Sequence, residues 1–407
     1  LGIMIRSGQE AIHRRLLGLC STAVAILAIG ALVSCRSTAA RVDSNPELFR
    51  TSVLRRRMSA ETETRRVRKI MREMTLYQKI GQRFICWIEG KELGDQAAEL
   101  VRQGAAGVIL YPWNIEDTEQ VRQLTASLQR SARAGDPPVG FFVCVDQEGG
   151  RVAAFRFRET TKLAPAFYWG RYEDPRFVTA AAYITGREIR ELGCNMNFAP
   201  VLDLYAAADS TVIGDRSMGI DPEKVGELGI AYLQGARQAE IIPVIKHFPG
   251  HGSSTVDSHG RLPVVDIPED QLLERDFLPF RMAVQAGAEA LMTAHVLYPR
   301  IDPEYPATLS KLILRDLLRE RFGYEGVIVS DGMAMGALAE NFTVSDSLKL
   351  MIQAGLDLIL VHSSYDLVDL KLEMLRLLHR GEITETQIDE GVERILKLKL
   401  RHGLLPY

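Results

Sequence analysis

Eight short apolar runs, each followed by an amphipathic stretch of helical length, predict an α/β fold of the (β/α)8 barrel type over residues 74–402 of this 407-residue chain. Two observations reinforce the count. Titratable residues close most of the runs, at the strand ends where such barrels carry their chemistry. The first run also ends in Ile88-Glu89-Gly90-Lys91, without the GxGxxG turn that a doubly wound sheet usually places there. With 46% hydrophobic and 25% charged residues and no low-complexity stretch, the chain is globular and can bury a large core. The span leaves no room for a second large domain behind it, so a single barrel is expected.

The runs fall at 83–88, 106–111, 140–145, 194–199, 244–248, 290–295, 326–330 and 356–361. Most are nearly continuous in apolar residues, as parallel strands covered on both faces should be. Between them lie helical patterns at 117–134, 222–239, 271–286 and 310–321. Trp87 and Trp113, near strand ends, can stack on a ligand, although barrel packing is the commoner use of tryptophan. Cys86, Cys144 and Cys194 lie within strands and read as buried, unpaired thiols.

The first 73 residues read differently. His13-Arg14-Arg15 precedes an uncharged run over 16–33, the layout of a secretory signal, and the run ends in Leu32-Val33-Ser34-Cys35. That ending resembles a bacterial lipobox, which implies a signal over residues 1–34 and lipidation of Cys35. The expected place is then the exported side of a bacterial membrane, at the cell envelope. An uncleaved membrane helix and a start at a later residue than Leu1, such as Met4, are the alternatives. Residues 35–73 form a basic tether leading into a short helix. Residues 36–73 carry 11 basic and 5 acidic side chains (+6), and 74–407 carry 35 and 46 (−11), within a whole-chain charge of −3. An acidic body argues against nucleic acid as a partner.

The strand ends bring together Asp146, Asp203, Lys246, His247, His295, Asp331 and His362, which together describe a polar pocket and an enzyme. The densest segment is 246–259, KHFPGHGSSTVDSH. His247 and His251 are four apart, but Pro249-Gly250 breaks the helix that a metal pair at that spacing requires, so no metal is expected. The glycines, proline and serines describe a loop over the pocket. Asp257 and His259 are two apart and can point the same way, so that the carboxylate orients the imidazole as a general acid/base.

This segment resembles the bacterial β-N-acetylglucosaminidases of glycoside hydrolase family three, whose signature is KHFPGHG followed by D-S-H. The stretches 146–152 (DQEGGRV), 197–203 (NFAPVLD), 212–217 (VIGDRS) and 329–333 (VSDGM) agree with it. The resemblance implies a barrel fold and a retaining glycosidase in which Asp331 is the nucleophile and His259, with Asp257, the acid/base. It implies that Asp146, Arg216, Lys246 and His247 hold the sugar, that no cofactor is used, and that the substrate ends in β-linked N-acetylglucosamine. Peptidoglycan fragments are the default glycan, and a monomer is expected. One departure stands out. The family often has arginine three residues after the GGR arginine, where this chain has Ala154; Arg156 or Arg158 can supply the charge instead. Two other functions remain open. Phosphate can replace water, because a histidine acid/base does not repel it, giving a phosphorylase. A non-catalytic, surface-anchored glycan-binding lipoprotein is the other.

Overall fold

The computed structural model describes residues 59–205, 212–254, 257–258, 260–362 and 364–406. The signal, Cys35 and most of the tether therefore lie outside the described residues. Among the described residues no helix is long and apolar enough to cross a membrane.

Strands β1 (Phe84–Trp87), β2 (Gly107–Leu110), β3 (Phe142–Val145), β6 (Met196–Asn197), β7 (Ile242–Phe248), β8 (Ala290–Thr293), β9 (Val327–Gly332) and β10 (Leu358–Val361) close in the order β1-β10-β9-β8-β7-β6-β3-β2. All neighbours are parallel, and Phe84 opposite Ile359 seals the ring. Each of the eight apolar runs supplies one strand. The barrel is filled by Ile85, Ile109, Phe142, Cys144, Met196, Val244, Met292, Val329 and Leu360, all buried. Cys86, Cys144 and Cys194 are free and buried, and burial pushes the Cys86 and Cys194 thiols up to about 12.

One strand pair was not foreseen. β4 (Gln147–Gly149) and β5 (Val152–Ala153) form an antiparallel hairpin standing on the end of β3. Its segment has too few apolar residues to show strand periodicity. Its turn requires glycine: Gly149 and Gly150 have φ of +99° and +56°, and a Cβ on Gly150 would lie 2.5 Å from Pro165.

The predicted helices at 117–134 and 222–239 appear as Thr118–Arg133 and Pro222–Gln238, capped by the Asp117 and Asp221 carboxylates. The stretch 271–286 is two helices, Glu269–Glu274 and Leu278–Gln285, not one. Pro279 fits only the first turn of a helix, and the break buries Asp276 and Phe277. The stretch 310–321 is wound as a π-helix over Leu312–Arg321. The helix Ala60–Glu73, at the end of the basic tether, lies on the C-terminal helix Glu385–Arg401. It buries Val67 and Met71, with Arg401 Nε 2.7 Å from Glu63 Oε1.

The N-terminal end of the barrel holds buried cations. Arg83, 1% exposed, donates through Nε to Asp357 O at 2.6 Å and through Nη1 to the carbonyls of Gln387 and Ile388 at 3.1 and 3.3 Å; Nη2 donates to Leu356 O. Asp357 accepts from Arg319 at 2.6 Å and Arg394 at 2.9 Å. Lys399 donates to Gln82 Oε1 and Ala106 O, both at 2.8 Å. Burial lowers the Lys399 pKa well below the usual lysine range.

Candidate active site

Asp331 stands at the C-terminal end of β9, half-buried, with Oδ1 accepting the Gly332 amide at 2.7 Å. Burial raises its pKa, but His247, His295, the Gly332 amide and Lys246 outweigh it and hold the carboxyl below the usual range. The group is thus ionised at neutral pH with Oδ2 unoccupied by any described partner.

Across the barrel mouth, Lys246 on β7 and Arg216, in the turn Gly214–Arg216, are braced by two carboxylates. Lys246 Nζ lies 2.6 Å from both Asp146 Oδ1 and Glu148 Oε1. Arg216 grips Glu148 with Nε and Nη2, each at 2.8 Å. Burial raises the Glu148 pKa, yet Lys246 and Arg216 pull it down to about 2. The same carboxylates raise Lys246 and Arg216 against the lowering effect of burial. Glu148 was absent from the residues singled out in the sequence, although it lies in the quoted 146–152 stretch. Its two-residue spacing from Asp146 was the available signal, because alternate residues of an extended segment share a face.

His247 is set by Asp203, which is fully buried after β6. The Asp203 Oδ2 to His247 Nδ1 distance is 2.6 Å, and the His247 amide also faces this carboxylate at 3.2 and 3.3 Å. An ionised Asp203 makes Nδ1 the donor and leaves Nε2 as the remaining ring nitrogen. Burial raises the Asp203 pKa, but His247 and His251 hold it below the usual range. The His251 amide donates to Asp203 Oδ1 at 2.6 Å, so one carboxylate fixes both β7 and the loop that follows. His295 is buried below, between Thr308 Oγ1 at 2.8 Å and Gly332 O at 3.1 Å, and burial lowers its pKa. Asp203 and His295 therefore support the pocket and do not line it.

The loop after β7 is tied down at Ser258. Its Oγ lies 3.1 Å from His251 Nε2, and its carbonyl accepts from Ala337 N, just past β9, at 3.1 Å. Asp257 is exposed and is not among the residues lining the cavity. His259 lies outside the described residues. No group of three His, Cys, Asp or Glu able to hold a metal ion occurs among the described residues.

The cavity has a volume of about 620 Å³ and is walled by Asp146, Lys246, His247, Arg216, Asp331 and His362 with Tyr111, Met335 and the hairpin residues Arg151 to Ala154 and Arg156. Met335 faces the cavity, whereas Met333 is buried. Trp87 packs on the core and lies 6.0 Å from His362, ring to ring. Trp113 is 48% exposed and stacks on Tyr111 at 4.5 Å. Of the two arginines offered in place of a residue at 154, Arg156 lines the cavity and Arg158 does not. Buried opposed charges, an ionised carboxylate and an aromatic wall can orient a polyhydroxylated ring and attack it.

The model of the glycosyl hydrolase family 3 N terminal domain matches residues 75–398. Beta-hexosaminidase A of Pseudoalteromonas piscicida is 31% identical over 367 residues, covering 81% of this chain and 61% of that protein. The beta-hexosaminidase of Methylobacillus flagellatus is 35% identical over 297 residues, covering 71% of this chain and 82% of its own length. Among solved structures, a glycoside hydrolase family 3 beta-N-acetylglucosaminidase from Paenibacillus sp. is 37% identical with a TM-score of 0.79, covering 81% of this chain and 63% of that one. The chain thus spans less than two thirds of the first and third of these relatives.

Proposed function

Because the chain belongs to glycosyl hydrolase family 3, we propose that it is a retaining glycosidase that removes terminal β-linked N-acetylglucosamine from glycans. The observation that carries the reading is Asp331, ionised at the cavity floor by His247, His295, Lys246 and the Gly332 amide. Asp331 Oδ2 attacks the anomeric carbon while Lys246, Asp146, Arg216 and His247 hold the ring. His259, oriented by Asp257, gives its proton to the departing oxygen. Water then attacks the glycosyl-enzyme with His259 as base, releasing the sugar with its β configuration retained. The names of the relatives, beta-hexosaminidase and beta-N-acetylglucosaminidase, support the choice of sugar. Peptidoglycan fragments are the proposed glycan, and Cys35 the proposed lipid anchor at the cell envelope.

The test is turnover of aryl β-N-acetylglucosaminides, with the product followed by NMR in phosphate buffer. Free sugar formed first as the β anomer supports the reading; sugar phosphate makes the chain a phosphorylase, and binding without turnover makes it a glycan-binding protein. Replacing His259 with alanine should slow substrates with poor leaving groups by about 10²–10⁴-fold and those with good leaving groups much less, because only the former need a proton. Equal losses on both would remove His259 from the acid role. Radiolabelled palmitate incorporated into the chain, and absent from Cys35→Ala, tests the anchor.

A further inference from the structure

The helix Ala60–Glu73, which follows the basic tether, has two unlike faces. Val67, Met71 and Glu63 turn inward, and Arg401 Nε of the helix Glu385–Arg401 meets Glu63 Oε1 at 2.7 Å. The opposite side carries Arg65, Lys69 and Arg72, all exposed, with the exposed Arg68 and the half-buried Arg66 at its flanks. These five cations share the helix with only two exposed carboxylates, Glu61 and Glu73. Arg65 pairs with Glu61 at 3.0 Å and Arg68 with Glu393 at 3.4 Å, and such exposed pairs are weak enough to exchange for another partner. Arg66, Lys69 and Arg72 have no carboxylate partner among the described residues.

This helix belongs to a definite end of the barrel. The helix Glu385–Arg401 beneath it crosses the N-terminal strand ends. Arg83, just before β1, donates to its Gln387 and Ile388 carbonyls, and its Lys399 donates to Ala106 O, just before β2. Ile395 and Leu398 of the same helix complete the apolar core of the barrel. The cavity opens at the other end, where β7 carries Lys246 and β9 carries Asp331. The cationic helix and the cavity mouth therefore belong to opposite ends of the barrel.

The stretch between Cys35 and Ser59 reaches at most roughly 80 Å, so an anchor at Cys35 alone leaves the barrel free to turn any side to a membrane. Charge selects among those sides. Residues 74–407 carry a net charge of −11, so an anionic bilayer repels most of the barrel and attracts this helix. Each cation close to such a surface favours attachment roughly fivefold. We propose that the outer face of the helix Ala60–Glu73 binds anionic phospholipid headgroups, seating the N-terminal end of the barrel on the bilayer and turning the cavity mouth away from it. The proposal rests on the chain being held at a membrane through Cys35, as proposed above. Arg65, Lys69 and Arg72, spread over about 10 Å of helix, supply the central contacts. The cavity then meets its glycan on the side away from the lipid.

The test follows amine labelling of the full chain, expressed in a bacterium, on vesicles of phosphatidylcholine alone or mixed with phosphatidylglycerol. A water-soluble acetylating reagent and peptide mass spectrometry report on Lys69, in the helix, and on Lys162, exposed beside the hairpin at the cavity end. Labelling of Lys69 should slow roughly tenfold on the anionic vesicles relative to the neutral ones, with Lys162 unchanged, and added salt should remove the difference. Arg65→Gln, Arg66→Gln and Arg72→Gln combined keep Lys69 as the reporter. They should abolish its protection while turnover and the melting temperature stay the same. Equal labelling of Lys69 on both vesicles, protection that survives the triple variant, or equal protection of Lys162 overturns the proposal. Flotation with the neutral vesicles is scored separately. Its absence would remove the Cys35 anchor, and protection of Lys69 on anionic vesicles, compared with the triple variant, still decides the role of the helix.

Discussion

The two ends of the barrel both bury charge, and they use it in opposite ways. At the N-terminal end, Arg83 spends its donors on four carbonyls, and Asp357 is held between Arg319 and Arg394. Arg83 and Asp357 are enclosed by protein, 1% and 0% exposed, and the Arg319 and Arg394 guanidinium groups turn inward onto Asp357. At the C-terminal end, Lys246, Arg216, Asp146 and Asp331 line an open cavity and keep donors or acceptors turned toward it. A charge satisfied on all sides fixes a fold; one satisfied on some sides fixes a geometry and keeps chemistry available.

The contrast predicts separable effects. The largest should come from Asp331→Asn, which lowers kcat/KM by roughly three orders of magnitude or more while leaving the melting temperature nearly unchanged. Steady-state kinetics and thermal unfolding on the same sample check it; a melting temperature that falls together with activity would make Asp331 structural. Asp357→Ala should do the reverse. It leaves the part-buried Arg319 and Arg394 without the fully buried carboxylate that pairs them, at a cost of about 3 kcal/mol in urea unfolding, with KM of the folded fraction unaltered.

Glu148→Gln lies between the two, because Glu148 faces Lys246 and Arg216 and reaches the cavity only through them. KM should rise, and the acid dependence of stability should change. The Glu148 pKa drops on folding from 4.5 to about 2. Its stabilising contribution is therefore complete above pH 4.5 and lost as the pH falls from about 4.5 to about 2. The glutamine variant should lose less stability across that window, measured by urea unfolding at stepped pH. The smallest effect is expected from alkylating reagents. Cys86, Cys144 and Cys194 are buried with raised pKa, so peptide mapping should find them unmodified until the barrel is unfolded.

The barrel was legible because its signal is repeated eight times, and an error of two residues at any run does not alter the count. The helix boundary at Pro279 was missed because periodicity continues through it, while the ring that breaks it is a single residue. The hairpin after β3 was missed for a different reason. Its strands are only three and two residues long, too short to show a period, and they are held by Gln147 and Asn197 contacts between residues 50 apart in sequence. The cavity residues Asp146, Lys246, His247 and Asp331 could be named from the strand ends, and Arg216 only from the family resemblance of the stretch 212–217. Glu148 and Asp203 act through other side chains, and that relation appears only when the strands are side by side. Arg156 needed the hairpin, since nothing in the sequence distinguishes it from Arg158.

The central claim is that Asp331 becomes covalently bonded to the sugar. A 5-fluoro N-acetylglucosaminyl fluoride slows the second step more than the first, so the adduct accumulates and can be located by peptide mass spectrometry. One adduct is expected, carried by the peptide that contains Asp331 and absent from Asp331→Asn. An adduct on another carboxylate, or steady hydrolysis with inversion and no adduct, would contradict it.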